Sequence, residues 1–206
     1  MPKLNMVQAL DAATGDLIWE NQVGPNSVVG FGSMRNIAIY GDQIFLATTD
    51  ARLVALDARN GKVVWDIAVA DRTKGFSNTS GPIVVRGKVI QGLQGCDRYR
   101  DERCYISAYD SQTGTLLWKF HTVARTGEPG GDTWGELPDK MRAGGETWIA
   151  GSYDPDLDLI YYGIAQAKPW MPMRPASFTY STILSILSRS EVNNAVINSI
   201  GKLAFR

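Results

Sequence analysis

The chain has 206 residues, and its 21 basic and 21 acidic side chains give a formal net charge of zero. This balance, without runs of like charge, argues against nucleic acid and anionic membrane surfaces as partners. No apolar stretch reaches the roughly 20 residues of a transmembrane helix. Because residues 1–5 lead directly into the first repeat, we expect no signal peptide in this chain.

An eleven-residue phrase, A-x-D-x-x-x-G-x-x-x-W, occurs three times, at residues 9–19, 55–65 and 108–118. The tryptophans that close the phrases are 46 and then 53 residues apart. A period of roughly 40–50 residues with four strands per unit is typical of a β-propeller blade. The sequence therefore predicts an all-β fold built from propeller blades.

The strands of each predicted blade can be read from alternation and turn residues. In the first complete unit they cover residues 36–40, 43–47, 53–57 and 62–69, and the next unit repeats the order at 82–85, 88–91 and 105–120. A first blade is represented only by its outer strands, and a fourth is partial. This is too little for a closed propeller, so we expect a fragment or an assembly with something else.

The three closing tryptophans, Trp19, Trp65 and Trp118, share one position in the repeat. A buried Trp side chain covers roughly 150–250 Å², so we expect these three to dock each blade on its neighbour as part of the scaffold. The only histidine, His121, follows the third of them in the predicted strand. We expect it to be structural, because a single His cannot build a His-based metal or nucleophile site.

The two cysteines, Cys96 and Cys104, flank the charged loop 97–103. Either they form a disulfide that closes this loop, which implies an oxidising compartment, or they are unpaired thiols at strand ends. The sequence leaves both readings open.

The repeated pattern of strands and turns ends after the third phrase. Residues 125–145 form a long Gly-rich loop, of a length that is usually functional or disordered, and residues 146–163 predict another hairpin. The expected fourth phrase does not follow. Residues 190–201 instead predict a short helix, with Ser190 as N-cap and Gly201 after its end. We therefore divide the chain into a partial propeller, residues 1–176, and a divergent tail, residues 177–206.

The repeated phrase, together with the string G-G-E-T-W at 144–148 and Y-D-P at 153–155, resembles the quinoprotein alcohol dehydrogenases. The resemblance covers roughly residues 7–175 and implies the N-terminal part of an eight-bladed propeller that uses pyrroloquinoline quinone (PQQ) and usually Ca²⁺ in the bacterial periplasm. The family has a vicinal Cys-Cys pair where this chain has Val29-Gly30.

The resemblance implies three cofactor-binding residues. Trp148 matches the Trp on which the quinone ring lies, and a core Trp is the alternative. Arg35 matches an Arg that hydrogen-bonds the quinone oxygens, and a surface Arg before a strand is the alternative. Thr79 resembles a Thr that contacts a cofactor carboxylate, and a turn residue is the alternative.

The resemblance also implies two metal ligands, at positions that depart from the family pattern. Asp97, in the string Q-G-C-D, stands where the family has Glu after S-G-A. Gln166, in G-I-A-Q-A-K-P-W, stands where the family has Asn. Both side chains still offer oxygen to Ca²⁺, although the changes equally allow a different ion or none.

The implied function is oxidation of an alcohol by hydride transfer to the quinone, with a cytochrome c or a quinone as electron acceptor. The family's catalytic base is an Asp beyond the fourth blade, and no catalytic residue is assigned in this chain, so we expect it to be inactive alone. A glucose-type quinoprotein is a second enzymatic reading. A non-catalytic propeller scaffold of the bacterial envelope is the alternative.

Overall fold

The computed structural model describes residues 6–23, 35–165, 167–168, 184–188 and 197–199. Sixteen strands lie in this part of the chain, and they are numbered in chain order. They are β1 Met6–Leu10, β2 Leu17–Gln22, β3 Ala38–Tyr40, β4 Gln43–Ala47, β5 Arg52–Asp57, β6 Val63–Ala68, β7 Ile83–Val85, β8 Lys88–Gln91, β9 Tyr105–Asp110, β10 Leu116–His121, β11 Ala143–Gly144, β12 Ser152–Asp154, β13 Leu159–Gly163, β14 Ala167–Lys168, β15 Leu184–Ser188 and β16 Ile197–Ser199.

Two four-stranded antiparallel sheets confirm the blades that the repeat predicts. Their strand orders are β3-β4-β5-β6 and β7-β8-β9-β10, so each strand pairs with its neighbour in sequence. The boundaries agree with the alternation to within a few residues. This up-and-down order follows from short turns, which can join only adjacent antiparallel strands.

The apolar core lies between neighbouring sheets rather than within one of them. One buried cluster joins Phe45 and Trp65 of the first complete sheet to Val89 and Tyr105 of the next. A second cluster joins that sheet to Ile160 and others of the following hairpin. Face-to-face stacking of successive sheets is the packing of a partial β-propeller.

Trp19 and Trp65 each lie against the turn of the next repeat. The Trp19 indole Nε1 donates to the Ala58 carbonyl oxygen at 3.0 Å, and Trp65 Nε1 donates to that of Ser111 at 2.9 Å. The rings cover Gly61 and Gly114, the glycines of the following phrases, where a Cβ atom would approach the ring to 2.4 and 3.0 Å. The Gly of one phrase therefore makes room for the Trp of the phrase before it.

The Asp of each phrase holds the turn that contains this glycine. Asp11 Oδ1 accepts from the backbone N–H of Ala13 and of Thr14, both at 2.9 Å. These donors, with Thr14 first, keep the pKa of Asp11 below its ordinary value. Asp110 makes the same contacts, and its pKa is lowered first by the Thr113 N–H.

Strands from the tail complete a further sheet, of order β12-β13-β15-β16. The helix predicted over residues 190–201 is wrong where the structure describes it, because β16 is a strand paired with β15. The apolar spacing at 190–201 suits a helix face, but Ile197 and its neighbour Val196 are β-branched and favour a strand when a sheet edge is available. The boundary at 176/177 lies outside the described residues and stays a prediction.

The long loop after β10 is packed around one buried arginine, Arg142. Its guanidinium donates to the carbonyl oxygens of Leu137, Gly131 and Ala124 at 2.9, 3.2 and 3.3 Å. Two 3₁₀ turns, Gly131–Trp134 and Asp139–Met141, lie in this loop. Among the helical segments of the described residues, none has the length and apolar character of a membrane span.

Candidate functional site

Arg35 joins the other two predicted cofactor residues. Its Nη1 donates to the backbone carbonyl oxygen of Trp148 at 3.0 Å and to that of Thr79 at 3.4 Å. The guanidinium carbon also lies 5.5 Å from the centre of the Trp148 ring, a cation–π distance. Residues 35, 79 and 148, which are far apart in sequence, therefore meet at one place.

Their meeting follows from the blade order. Arg35 precedes β3, Thr79 precedes β7, and Trp148 precedes β12, so each lies where the chain enters the first strand of a sheet. The first strands of stacked propeller blades line the central axis, and they begin at the same end. One residue from each of three successive sheets is thereby directed to one end of the axis.

This end of the axis offers an exposed flat ring beside a cation. The Trp148 side chain retains 41% of its accessible surface, whereas Thr79 is buried. Arg35 is exposed and carries its charge next to the ring. A partly exposed indole ring and an adjacent positive charge suit a planar anionic ligand such as a quinone with carboxylates.

The segment that follows β8, residues 92–97, lies beside Thr79 and forms one wall of the site. Since β7 and β8 are antiparallel, the residues before β7 and after β8 lie at the same end of the sheet. Thr79 Oγ1 donates to Gln94 Oε1 at 2.7 Å, and Ser77 and Gln94 exchange backbone hydrogen bonds of 3.1 and 3.0 Å. Gln94, the first residue of the Q-G-C-D string, therefore lies beside Thr79, a contact that the sequence does not indicate.

The segment that carries Trp148 runs along this wall. The Thr147 N–H donates to the Leu93 carbonyl oxygen at 3.0 Å, and the Thr147 hydroxyl accepts from the Leu93 N–H at 2.7 Å. Gly144 N–H donates to the Cys96 carbonyl oxygen at 2.9 Å. Gly92 fits here because a Cβ atom would lie 2.2 Å from Thr147 Oγ1.

Glu146 makes the remaining contact between these two segments. Its carboxylate Oε1 accepts from the backbone N–H groups of Gly95 and Cys96, at 2.9 and 3.1 Å. Sequence reasoning missed Glu146 because it occupies a variable position of the G-G-x-x-W string. Its one available signal was a charged side chain between a Gly pair and the predicted ring-stacking Trp.

Asp97, the first predicted metal ligand, is placed at the end of the same wall. Its side chain is 55% exposed, and the ammonium Nζ of Lys168 lies 3.9 Å from Asp97 Oδ2. Lys168 reaches this point because β14 pairs with β11, which precedes the Trp148 segment. Gln166, the second predicted ligand, lies outside the described residues.

The described residues do not by themselves fit a divalent cation. In that part of the chain, no group of three or more His, Cys, Asp or Glu side chains is arranged to hold a metal ion. Asp97 is a single carboxylate with a positive charge beside it, and this charge opposes cation binding. We therefore derive no chemical step through a metal.

His121 is placed by packing. Its ring lies edge-on to Tyr105, with ring centres 5.9 Å apart. Burial, followed by the charge of Arg103, lowers the pKa of His121. These contacts agree with a structural histidine.

Cys96 and Cys104 form a disulfide, with Cα atoms 5.4 Å apart. The bond closes the loop 97–103, which begins at Asp97. On the chain-entropy argument, closing a loop of this size stabilises the fold by about 2–3 kcal/mol. Arg100 adds to the closure by donating to the Gly95 carbonyl oxygen at 2.8 Å.

We expect the double variant Cys96→Ser, Cys104→Ser to lose about 2–3 kcal/mol of unfolding free energy, because its denatured state is no longer cross-linked. Urea unfolding measures the difference, and wild type in excess reductant should show the same loss. An unchanged midpoint in both samples would contradict a stabilising role for the bond.

The fold is thus a partial β-propeller in which Arg35, Thr79 and Trp148 meet at one end of three successive sheets. The family profile for the β-propeller domain of PQQ-dependent glucose, ethanol and alcohol dehydrogenases matches residues 2–171. The chain belongs to this family.

Similar proteins include quinohemoprotein alcohol dehydrogenase ADH IIB of Pseudomonas putida, 38% identical over 181 residues, or 80% of this chain and 26% of that protein. The lanthanide-dependent methanol dehydrogenase of Methylorubrum extorquens is 32% identical over 87% of this chain and 34% of its own. The quinohemoprotein alcohol dehydrogenase structure from Comamonas testosteroni superimposes with a TM-score of 0.68 at 26% identity, covering 89% of this chain and 30% of that one. The chain spans about a quarter to a third of these relatives.

Proposed function

We propose that this chain forms the cofactor-binding part of a PQQ-dependent alcohol dehydrogenase. The observation that carries the proposal is the contact of Arg35 with both Trp148 and the Thr79 backbone. Family membership supports the enzyme class. The resemblance supports a small alcohol as substrate, a cytochrome c or a quinone as electron acceptor, and the periplasm as the location.

In this proposal the chain's own residues bind and orient the cofactor. The Trp148 ring packs against the quinone ring, and the Arg35 guanidinium donates to ring oxygens. The Thr79 hydroxyl exchanges its hydrogen bond to Gln94 for one to a carboxylate of the cofactor. When bound, PQQ supplies a two-electron acceptor for the hydride of the alcohol. Because the carboxylate base of the family lies beyond the fourth blade, we propose that these 206 residues alone bind PQQ without oxidising alcohols.

Equilibrium dialysis of the purified chain against PQQ tests the proposal. We expect saturable binding of one PQQ per chain, and about tenfold or more weaker binding by Arg35→Ala, because a charged hydrogen-bond donor is lost. The control is Arg59→Ala, which removes an exposed arginine paired with Asp42 in a distant turn. If the wild-type chain retains no PQQ, the proposal is overturned and the non-catalytic scaffold is favoured.

We propose that calcium binds here through Gln166 together with Asp97, because Asp97 alone, with Lys168 beside it, does not hold a divalent cation. The metal named for the Methylorubrum relative is a lanthanide, so Tb³⁺ is an informative second ion. Its luminescence, sensitised by nearby tryptophan, reports binding without any turnover. If Asp97→Asn binds Ca²⁺ or Tb³⁺ as tightly as wild type does, Asp97 is not a ligand of that ion.

Lys168 provides a sharper test of the ion's position. We expect Lys168→Ala to bind Ca²⁺ about two- to fivefold more tightly, because removing a partly exposed ion-pair partner of Asp97 is worth about 0.5–1 kcal/mol. Calorimetric titration measures the change, with Lys140→Ala in the long loop as the control. Unchanged or weaker Ca²⁺ binding by Lys168→Ala would place the ion elsewhere.

A further inference from the structure

Glu146 lies in the segment that carries Trp148, and its carboxylate bonds to the backbone of the wall. Its Oε1 accepts two consecutive N–H groups, those of Gly95 and Cys96. Consecutive N–H groups that converge on one oxygen form a small anion-binding nest, and Gly95, at φ +94°, has the positive φ that such a bend requires. The nest is therefore filled by the chain's own carboxylate.

The backbone of Glu146 makes a second connection. Its carbonyl oxygen accepts from the Ala165 N–H at 2.8 Å, directly before the predicted ligand Gln166. Two residues after Glu146 comes Trp148, and one residue after Cys96 comes Asp97. One half-buried residue thus ties together the neighbours of three predicted site residues.

The packing around the nest leaves little freedom to replace this contact. A Cβ atom on Gly95 would lie 2.1 Å from the Gly75 carbonyl oxygen, so the wall packs closely against that backbone. On the other side, the Thr147 and Gly144 hydrogen bonds hold the Trp148 segment antiparallel to the wall. Between these two contacts, the carboxylate of Glu146 adds two further hydrogen bonds to the wall.

We propose that Glu146 is a positioning residue that sets the width of the quinone pocket, by holding residues 94–97 of the wall at a fixed distance from Trp148. This inference rests on the proposed function. In it Glu146 does not touch the cofactor. It satisfies the N–H groups of Gly95 and Cys96, and so it keeps Gln94 against Thr79 on one side and the Trp148 ring open on the other.

The test compares Glu146→Ala with Glu146→Gln. The amide oxygen of glutamine can accept the same two N–H groups, whereas alanine leaves both without this acceptor. We expect Glu146→Ala to bind PQQ about tenfold more weakly, within the range seen when groups that orient a site are removed. Glu146→Gln should bind within about twofold of wild type. The control, Glu136→Ala, removes an exposed glutamate from the long loop.

Amide hydrogen exchange of the cofactor-free chains tests the role of Glu146 independently of PQQ binding. We expect the amides of Gly95 and Cys96 to exchange faster in Glu146→Ala and at the wild-type rate in Glu146→Gln, with far-UV circular dichroism confirming that both variants fold. Wild-type affinity and exchange in Glu146→Ala would overturn the proposal. Equal weakening of PQQ binding in both variants would also overturn it, because the charge itself would then act on the ligand.

The two proposals fail in different ways. If wild type retains no PQQ, both the proposed function and the role of Glu146 in cofactor binding fail. If wild type binds PQQ and Glu146→Ala binds it equally well, only the positioning role fails.

Discussion

Replacement of Gly61 by alanine is expected to lower the free energy of unfolding by about 2–5 kcal/mol. Gly61 has φ +70°, which costs an L-residue about 1–2 kcal/mol. In addition, the new Cβ atom would lie 2.4 Å from the ring of Trp19, and relieving such overpacking costs about 1–3 kcal/mol. Urea unfolding of the purified variant measures the sum.

The matched control for this prediction is Gly15→Ala. Gly15 holds the same position in the first phrase with φ +79°, and among the described residues a Cβ atom there has no heavy atom within 4 Å. It should therefore cost only the backbone strain of about 1–2 kcal/mol. Equal losses in the two variants would contradict a stabilising contact between Trp19 and the next repeat.

Trp148→Ala is expected to weaken PQQ binding about ten- to hundredfold. Stacking of a flat ring on an aromatic side chain is worth roughly 1–3 kcal/mol, and the Trp148 ring is the exposed face of the pocket. The variant should keep the stability of wild type, because the ring is not part of a buried cluster among the described residues. Calorimetric titration with PQQ gives the affinity directly.

Tyr99→Ala is the control for the tryptophan variant. Tyr99 is also a large exposed aromatic residue, but it lies in the disulfide-closed loop. It should bind PQQ as wild type does. A Trp148→Ala variant with unchanged affinity would rule out stacking on this ring.

The blades could be predicted because their determinants are local. The apolar runs at 44–47 and 53–56 and the turn chemistry of Asp57 and Gly61 lie within one unit, and the structure places β4 and β5 there. The repeat then carries this prediction to the next unit. The tail had no repeat to guide it, and an apolar spacing typical of a helix was outweighed by pairing of β16 with β15.

The site was predictable only in part, because it is formed between units. Motif positions identified Arg35, Thr79 and Trp148, but their contacts depend on how three sheets stack, which no local pattern encodes. Gln94 contacts the Thr79 hydroxyl and Glu146 contacts the Gly95 backbone N–H, so these contacts exist only when the segments lie side by side. The packing of the long loop around Arg142 is likewise a tertiary effect.

A crystal structure of the chain with PQQ would show directly where the cofactor binds. We expect planar density against the Trp148 ring, with the Arg35 guanidinium within hydrogen-bond distance of a ring oxygen and Thr79 facing a carboxylate. Density elsewhere on the molecule, or a vacant pocket at PQQ concentrations that saturate a control quinoprotein, would contradict this expectation.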